Sequence, residues 1–172
     1  NSGHALAYGN DHFTRDAEAA FSELFGKEVV TRFAFGGTGA NVMALANMLQ
    51  PAEAVVCTSW SHIAVDEAGA PERFLGAKLI DLPSPDAKLR PSDLHSLHHL
   101  FGSEHHVQPR VVSITQATEL GTLYTAQEVK DLCTAAHEMN MLVHMDGARI
   151  CNATAALGAT REALRSFTVD AG

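Results

Sequence analysis

The chain has 172 residues, 46% of them hydrophobic and 19% charged, which is enough for a sizeable core in one globular domain. Its 12 lysines and arginines face 20 aspartates and glutamates, a formal net charge of −8, which argues against nucleic acid or an anionic membrane as a main partner. The longest apolar runs fall far short of the ~20 residues of a membrane-spanning helix.

In chain order, HFTRDAEAAFSELFG (12–26) predicts an amphipathic helix with Thr14 as N-cap and Gly26 as C-cap. VVTRFAF (29–35) is β-branched and aromatic and predicts a strand. It runs into GGTGANVMALANMLQP (36–51), a glycine turn opening a helix that Pro51 closes. AVVCT (54–58), AKLIDLP (77–83) and RVVSIT (110–115) predict three more strands. PSDLHSLHHLFG (91–102) predicts a helix, with Pro91 near its start and Gly102 beyond its end. TAQEVKDLCTAAHEMN (125–140) carries the Thr125/Glu128 capping-box pattern and helical apolar spacing. MLVHMD (141–146) predicts a fifth strand, followed by helices in ARICNATAAL and TREALRSF separated by Gly158. Strands alternating with helices predict an α/β fold, a mostly parallel sheet flanked by helices, with no repeat or linker dividing it.

Cys57, Cys133 and Cys151 are odd in number and widely spaced, which reads as reduced thiols in or near the core of a cytoplasmic protein. The sequence opens on Asn1 and closes on VDAG, so it is expected to be part of a longer protein.

Two strand-to-helix junctions carry candidate chemistry, because ligands of parallel sheets bind where strands end and helices begin. At AFGGTGANVMAL, Gly36, Gly37 and Gly39 permit close backbone approach, and Thr38 adds a hydroxyl at a helix N-terminus that attracts anions. The segment is a phosphate cradle or a plain turn. It lacks the lysine of a nucleoside-triphosphate loop and the spacing of a dinucleotide fingerprint. At the second junction, Asp146 is an N-cap, an ion-pair partner or a ligand for a protonated ring nitrogen. Arg149 suits a carboxylate or phenolate-type oxygen, or a surface salt bridge. His62, with Glu67 close behind, is structural or functional, and Trp60 is expected to pack. The five histidines of LHSLHHLFGSEHH put His95 and His99 on one predicted helix face. No H-E-x-x-H pattern completes a site, so a solvated face is expected and no metal.

In order, YGNDHFT, GGTGANVMAL, SHIAVDEAGAPE, QATELGTLYT and HMDGARICNA cover nearly the whole chain. Together they resemble the low-specificity L-threonine aldolase family, within the β-eliminating lyases of the fold-type I pyridoxal-phosphate enzymes. The resemblance implies part of the large cofactor-binding domain of an aspartate-aminotransferase-like fold, spanning residues 1–172. It implies that Gly37, Thr38 and Asn41 hold the pyridoxal 5'-phosphate phosphate and that His62 stacks on the ring. Asp146 would pair with the ring nitrogen, and Arg149 would meet the substrate carboxylate or a cofactor oxygen, with Glu67 also at the substrate.

The implied reaction is retro-aldol cleavage of L-threonine or L-allo-threonine to glycine and an aldehyde, with His62 or a bound water as base. Other fold-type I lyases, aminotransferases and a truncated non-catalytic domain are the alternatives. The family assembles as homodimers or homotetramers with shared sites, so YGND is expected to serve a neighbouring subunit. Many members carry a histidine where Thr118 and Glu119 stand here. The cofactor-bearing lysine is expected beyond Gly172, and Lys27, Lys78, Lys88 and Lys130 are expected on turns or polar surfaces.

Overall fold

A computed structural model describes residues 3–171, which form two compact units, one ending at Phe33 and the other starting at Ala34. In the first, helix α1 (His12–Phe25) is capped by Asp11 rather than Thr14. Asp11 Oδ1 accepts the Thr14 N–H at 2.9 Å and Oδ2 accepts the Thr14 hydroxyl at 2.7 Å. A carboxylate at the positive helix end gains charge assistance that a hydroxyl lacks. Gly26 closes the helix at φ +70°, its N–H donating to the Ser22 and Glu23 carbonyls. The strand predicted over 29–35 does not form, and Val30, Phe33 and Phe35 are exposed. Strand propensity records fit to a half-buried pleated surface, and among the described residues no strand pairs with this segment.

The second unit holds a four-stranded, all-parallel sheet among the described residues. Its strands are β1 (Glu53–Thr58), β2 (Lys78–Leu82), β3 (Gln108–Thr115) and β4 (Leu142–Asp146). Their order is β2–β1–β3–β4. Central β1 and β3 are buried along nearly their whole length, as parallel strands covered on both faces are, whereas the edge strands are only partly buried.

Helices α2 (Gly37–Ala46) and α4 (Ala70–Leu75) pack together. Leu45, Leu49, Val55, Cys57, Ile63, Ala77 and Val111 form a core cluster, with Met48, Leu75 and Leu79 against it. Leu45 is fully buried, so truncating it to alanine costs about 2–5 kcal/mol. Helix α6 (Ala126–Glu138) has the expected capping box and buries Val129, Leu132, Cys133, Ala135 and Ala136. The short helices α3 (His62–Val65), α5 (Pro91–His95), α7 (Ile150–Ala156) and α8 (Arg161–Ser166) complete the unit.

Helix α2 ends at Ala46, before Pro51, and its last turns loosen through Leu49. The helix predicted over 91–102 breaks: α5 stops at His95 and a 3-10 turn follows over His98–Leu100. Ser96 Oγ donates back to the Asp93 carbonyl at 2.6 Å, the local competition that weakens a serine within a helix. His95 and His99 therefore do not share one helix face; His95 stacks on His98 and His99 meets His106 edge-on. Among the described residues no group of three or more histidine, cysteine or acidic side chains is placed to hold a metal.

Cys57 and Cys133 are buried, but Cys151 is exposed, unlike the near-core position expected for it. Burial pushes the Cys57 thiol up to about 12. No helix among the described residues is long and apolar enough to cross a membrane.

From β1 the chain moves outward to β2, then crosses back to place β3 on the other flank of β1. Connections leaving the carboxyl ends of β1 and β3 thus diverge, which opens a crevice at the head of the sheet.

Candidate active site

The residues singled out by sequence meet at this crevice. His62 starts α3, four residues after β1, Asp146 ends β4, and Asn41 lies in the second turn of α2. A continuous run of hydrogen bonds joins them. Arg149 Nη2 donates to Glu119 Oε1 at 3.2 Å, and the His62 main-chain N–H donates to the same oxygen at 3.2 Å. His62 Nδ1 lies 2.9 Å from Glu67 Oε1, which also accepts from Asn41 Nδ2 at 2.7 Å. Asn41 Nδ2 then donates to Asp146 Oδ2 at 3.1 Å.

Asp146 is not the cap of α7; that place falls to Arg149. Its Oδ1 instead accepts the Ala148 N–H at 2.9 Å across Gly147, an Asx-type turn that fixes the carboxylate at the strand tip. Each oxygen has one donor and a lone pair to spare. The Arg149 guanidinium is anchored at Nε by the Ala117 carbonyl, 2.9 Å away, and at Nη2 by Glu119. Its side chain is 38% exposed, so the salt bridge with Glu119 leaves part of the fork facing solvent.

Gly36 precedes α2 in extended conformation with no side-chain cap, so the first N–H groups of the helix lack intrahelical partners. No acidic residue occupies that first turn. A Cβ built on Gly36 or Gly37 meets nothing within 4 Å, whereas one on Gly39 would touch Phe35 at 3.6 Å. The space before Gly37 and Thr38 is open to a small anion. About one helical turn, ~5.4 Å, separates it from Asn41 and the Asp146 contact.

Two expected roles change. Asn41 is buried, and its amide hydrogens face two carboxylates, leaving no side-chain donor for a phosphate. Glu67, expected at the substrate, has a side chain with 0% exposure, set against His62 and Asn41. Its Oε2 is buried without a hydrogen-bond partner.

His62 itself is 42% exposed at the side chain, and the hydrogen bond to Glu67 raises its pKa, with burial opposing and the Glu67, Asp66 and Asp146 charges assisting. Trp60 is half exposed rather than packed, its Nε1 donating to the Ser84 carbonyl at 2.9 Å. Lys88, expected on the surface, is largely buried and donates to Glu128 and to the Leu123 carbonyl.

Sequence reasoning missed the roles of Glu119 and His144. Glu119 is presented by a turn in which the Thr118 N–H donates to Thr122 and Gly121 adopts φ +77°. Gln116 anchors the base of that turn by bracketing the Tyr124 main chain with both amide atoms. An acid four residues after a buried strand, in a turn ahead of Gly121, was the available signal. His144, two residues before Asp146 in β4, is buried with Nδ1 2.9 Å from Ser113 Oγ. Burial lowers its pKa, against the opposing charges of Asp146 and Glu67. A separate hollow of about 600 Å³ beside β2, lined by Lys78, Asp81, His99 and His106 among others, contains none of these residues.

Residues 1–170 match the beta-eliminating lyase family. A low-specificity L-threonine aldolase from a Pseudomonas species is 42% identical over 161 residues, covering 93% of this chain and 46% of that protein. The threonine aldolase structure from Leishmania major superposes with a TM-score of 0.89 at 35% identity, over 96% of this chain and 48% of that one. An aspartate aminotransferase from Rhodobacter sphaeroides shares the fold, with a TM-score of 0.55 at 18% identity over 76% of this chain and 34% of its own. The chain thus spans about half the length of the curated relatives it matches.

Proposed function

The chain belongs to the beta-eliminating lyase family, and from that premise we propose that it is part of the cofactor-binding domain of a pyridoxal-phosphate-dependent aldolase. The substrates are L-threonine-type β-hydroxy-α-amino acids, and the products are glycine and an aldehyde. The observation that carries the reading is the Asp146 carboxylate, fixed at a strand tip by Ala148 and Asn41 and one helical turn from an uncapped, acid-free helix N-terminus.

The residues fit this cofactor. The open space before Gly36 and Gly37, which a Cβ would enter, suits the phosphate. The spare lone pairs of Asp146 suit a protonated ring nitrogen. When bound, pyridoxal phosphate supplies an electron sink for the bonding pair released at the substrate α-carbon.

Around it, the Gly37 and Thr38 N–H groups would bind the phosphate. Asp146 would hold positive charge at the ring nitrogen, and His62 would cover the ring. Arg149, held on Ala117 and Glu119, presents its remaining N–H groups to the substrate carboxylate or a cofactor oxygen. With Nδ1–H given to Glu67, the neutral His62 ring leaves Nε2 to take the β-hydroxyl proton directly or through a water. Holding that proton on Nε2, His62 would favour release of the β-carbon as an aldehyde, and the same proton delivered to the α-carbon would balance the formation of glycine.

The same reading places the protein in the cytoplasm as a homodimer or homotetramer. The fully exposed Tyr8 would belong to a neighbouring subunit's site. Product analysis of the full-length protein with pyridoxal phosphate and L-threonine tests the proposal. Glycine and acetaldehyde in equal amounts are expected; a 2-oxo acid or ammonia instead would assign a different lyase or an aminotransferase.

A further inference from the structure

Glu67 stands out on elementary grounds. Its side chain is wholly buried, one oxygen accepts two hydrogen bonds, and the other accepts none. A buried carboxylate left half satisfied is destabilising, and packing alone would favour a neutral residue here. Local rules broken in this way mark sites where a charge serves function.

The hydrogen-bond partners of Glu67 are His62 and Asn41. On its own helix and the turn after it, His62 faces Asp66 and Glu67; from β4 it faces Asp146; and after β3, Glu119 holds its main-chain N–H while neutralised by Arg149. Among these, Glu67 alone meets the ring, at Nδ1. A carboxylate can only accept, so the proton of the neutral ring sits on Nδ1. The Glu67 oxygen that fixes it is fixed in turn by Asn41, whose other hydrogen is on Asp146.

We propose that Glu67 is a positioning residue: it locks His62 in the Nδ1–H tautomer and, through Asn41, holds the imidazole in fixed register with Asp146. The proposal deepens the aldolase reading, because it says which nitrogen of His62 is left to face the reacting atoms. It separates that nitrogen, Nε2, from the buried side of the site. The stored negative charge also supports the imidazolium that His62 becomes after accepting a proton.

The test is nuclear magnetic resonance of the full-length protein labelled at histidine, with the His62 signal identified by its loss in His62→Phe. In the unsubstituted protein the neutral ring is expected as the Nδ1–H tautomer. In Glu67→Gln the His62 titration midpoint is expected to fall by about one pH unit, while the exposed neighbour change Asp66→Asn moves it much less. An Nε2–H tautomer in the unsubstituted protein, or equal shifts in Glu67→Gln and Asp66→Asn, would overturn the proposal. The tautomer is read without any substitution, so the test stands even if Glu67→Gln fails to fold. It requires no turnover. If the protein fails to cleave threonine yet shows the expected tautomer and shift, only the aldolase reading falls.

Discussion

Asn41 and Asp146, 105 residues apart in sequence, meet at 3.1 Å and tie the second turn of α2 to the tip of β4. The same amide nitrogen serves Glu67, so Asn41 bridges the Glu67 and Asp146 carboxylates. Asn41→Ala removes both donors at once. It is expected to lower unfolding stability by about 1–3 kcal/mol, because the partners it leaves behind stay desolvated. Chemical denaturation of the full-length protein measures this, and an unchanged midpoint would show that water replaces the amide without loss.

The α/β class, β1 to β4 and most helices were legible because each has a local cause, such as the Thr125/Glu128 box or the unbroken apolar run of β1. Residues 29–35 misled because their β-branched content describes a surface awaiting a partner, and pairing is non-local. The candidate site was half legible. Asp146 and Gly37 announce themselves at junctions, but that Asn41 faces Asp146, or Glu119 faces Arg149, depends on strand order, which the sequence does not carry. Thr14 misled more simply, since Asp11 outranks it three residues earlier.

Asp146→Asn keeps the shape and the Ala148 contact but removes the charge. Aldol cleavage is expected to fall about 10²- to 10³-fold, the usual loss when one preorganised electrostatic group is removed. Pyridoxal-phosphate affinity, followed by fluorescence titration, should weaken in parallel. Activity within twofold of the unsubstituted protein would remove Asp146 from the ring-nitrogen role.

Arg149→Lys retains the charge but cannot meet the Ala117 carbonyl and Glu119 together with one ammonium group. Loss of a charged hydrogen bond of about 1.5–3 kcal/mol corresponds to roughly a ten- to hundredfold drop in kcat/KM for threonine. Steady-state kinetics should show most of it in KM if Arg149 holds the substrate carboxylate.

His144 sets a pH dependence of folding with a definite sign. Burial depresses its pKa below the ordinary 6.5, so the unfolded chain binds this proton more readily than the folded one. The stability it contributes is therefore complete above pH 6.5 and declines as pH falls below that value. His144→Gln should flatten the acid side of a plot of Tm against pH between 7 and 5. An unchanged slope would place the acid sensitivity elsewhere.

Tyr124→Phe probes the fold apart from the chemistry. The tyrosine oxygen accepts the buried Leu89 N–H at 2.6 Å, and its loss strands that donor. About 1–3 kcal/mol of stability should go, measured by urea denaturation, with pyridoxal-phosphate affinity unchanged.

The most direct measurement is a crystal structure of the full-length protein with pyridoxal phosphate bound. The ring nitrogen is expected within about 3 Å of an Asp146 oxygen, the phosphate on the Gly37 and Thr38 N–H groups, and the His62 ring over the pyridine. A cofactor bound with its ring nitrogen away from Asp146, or its phosphate away from the start of α2, would contradict that expectation.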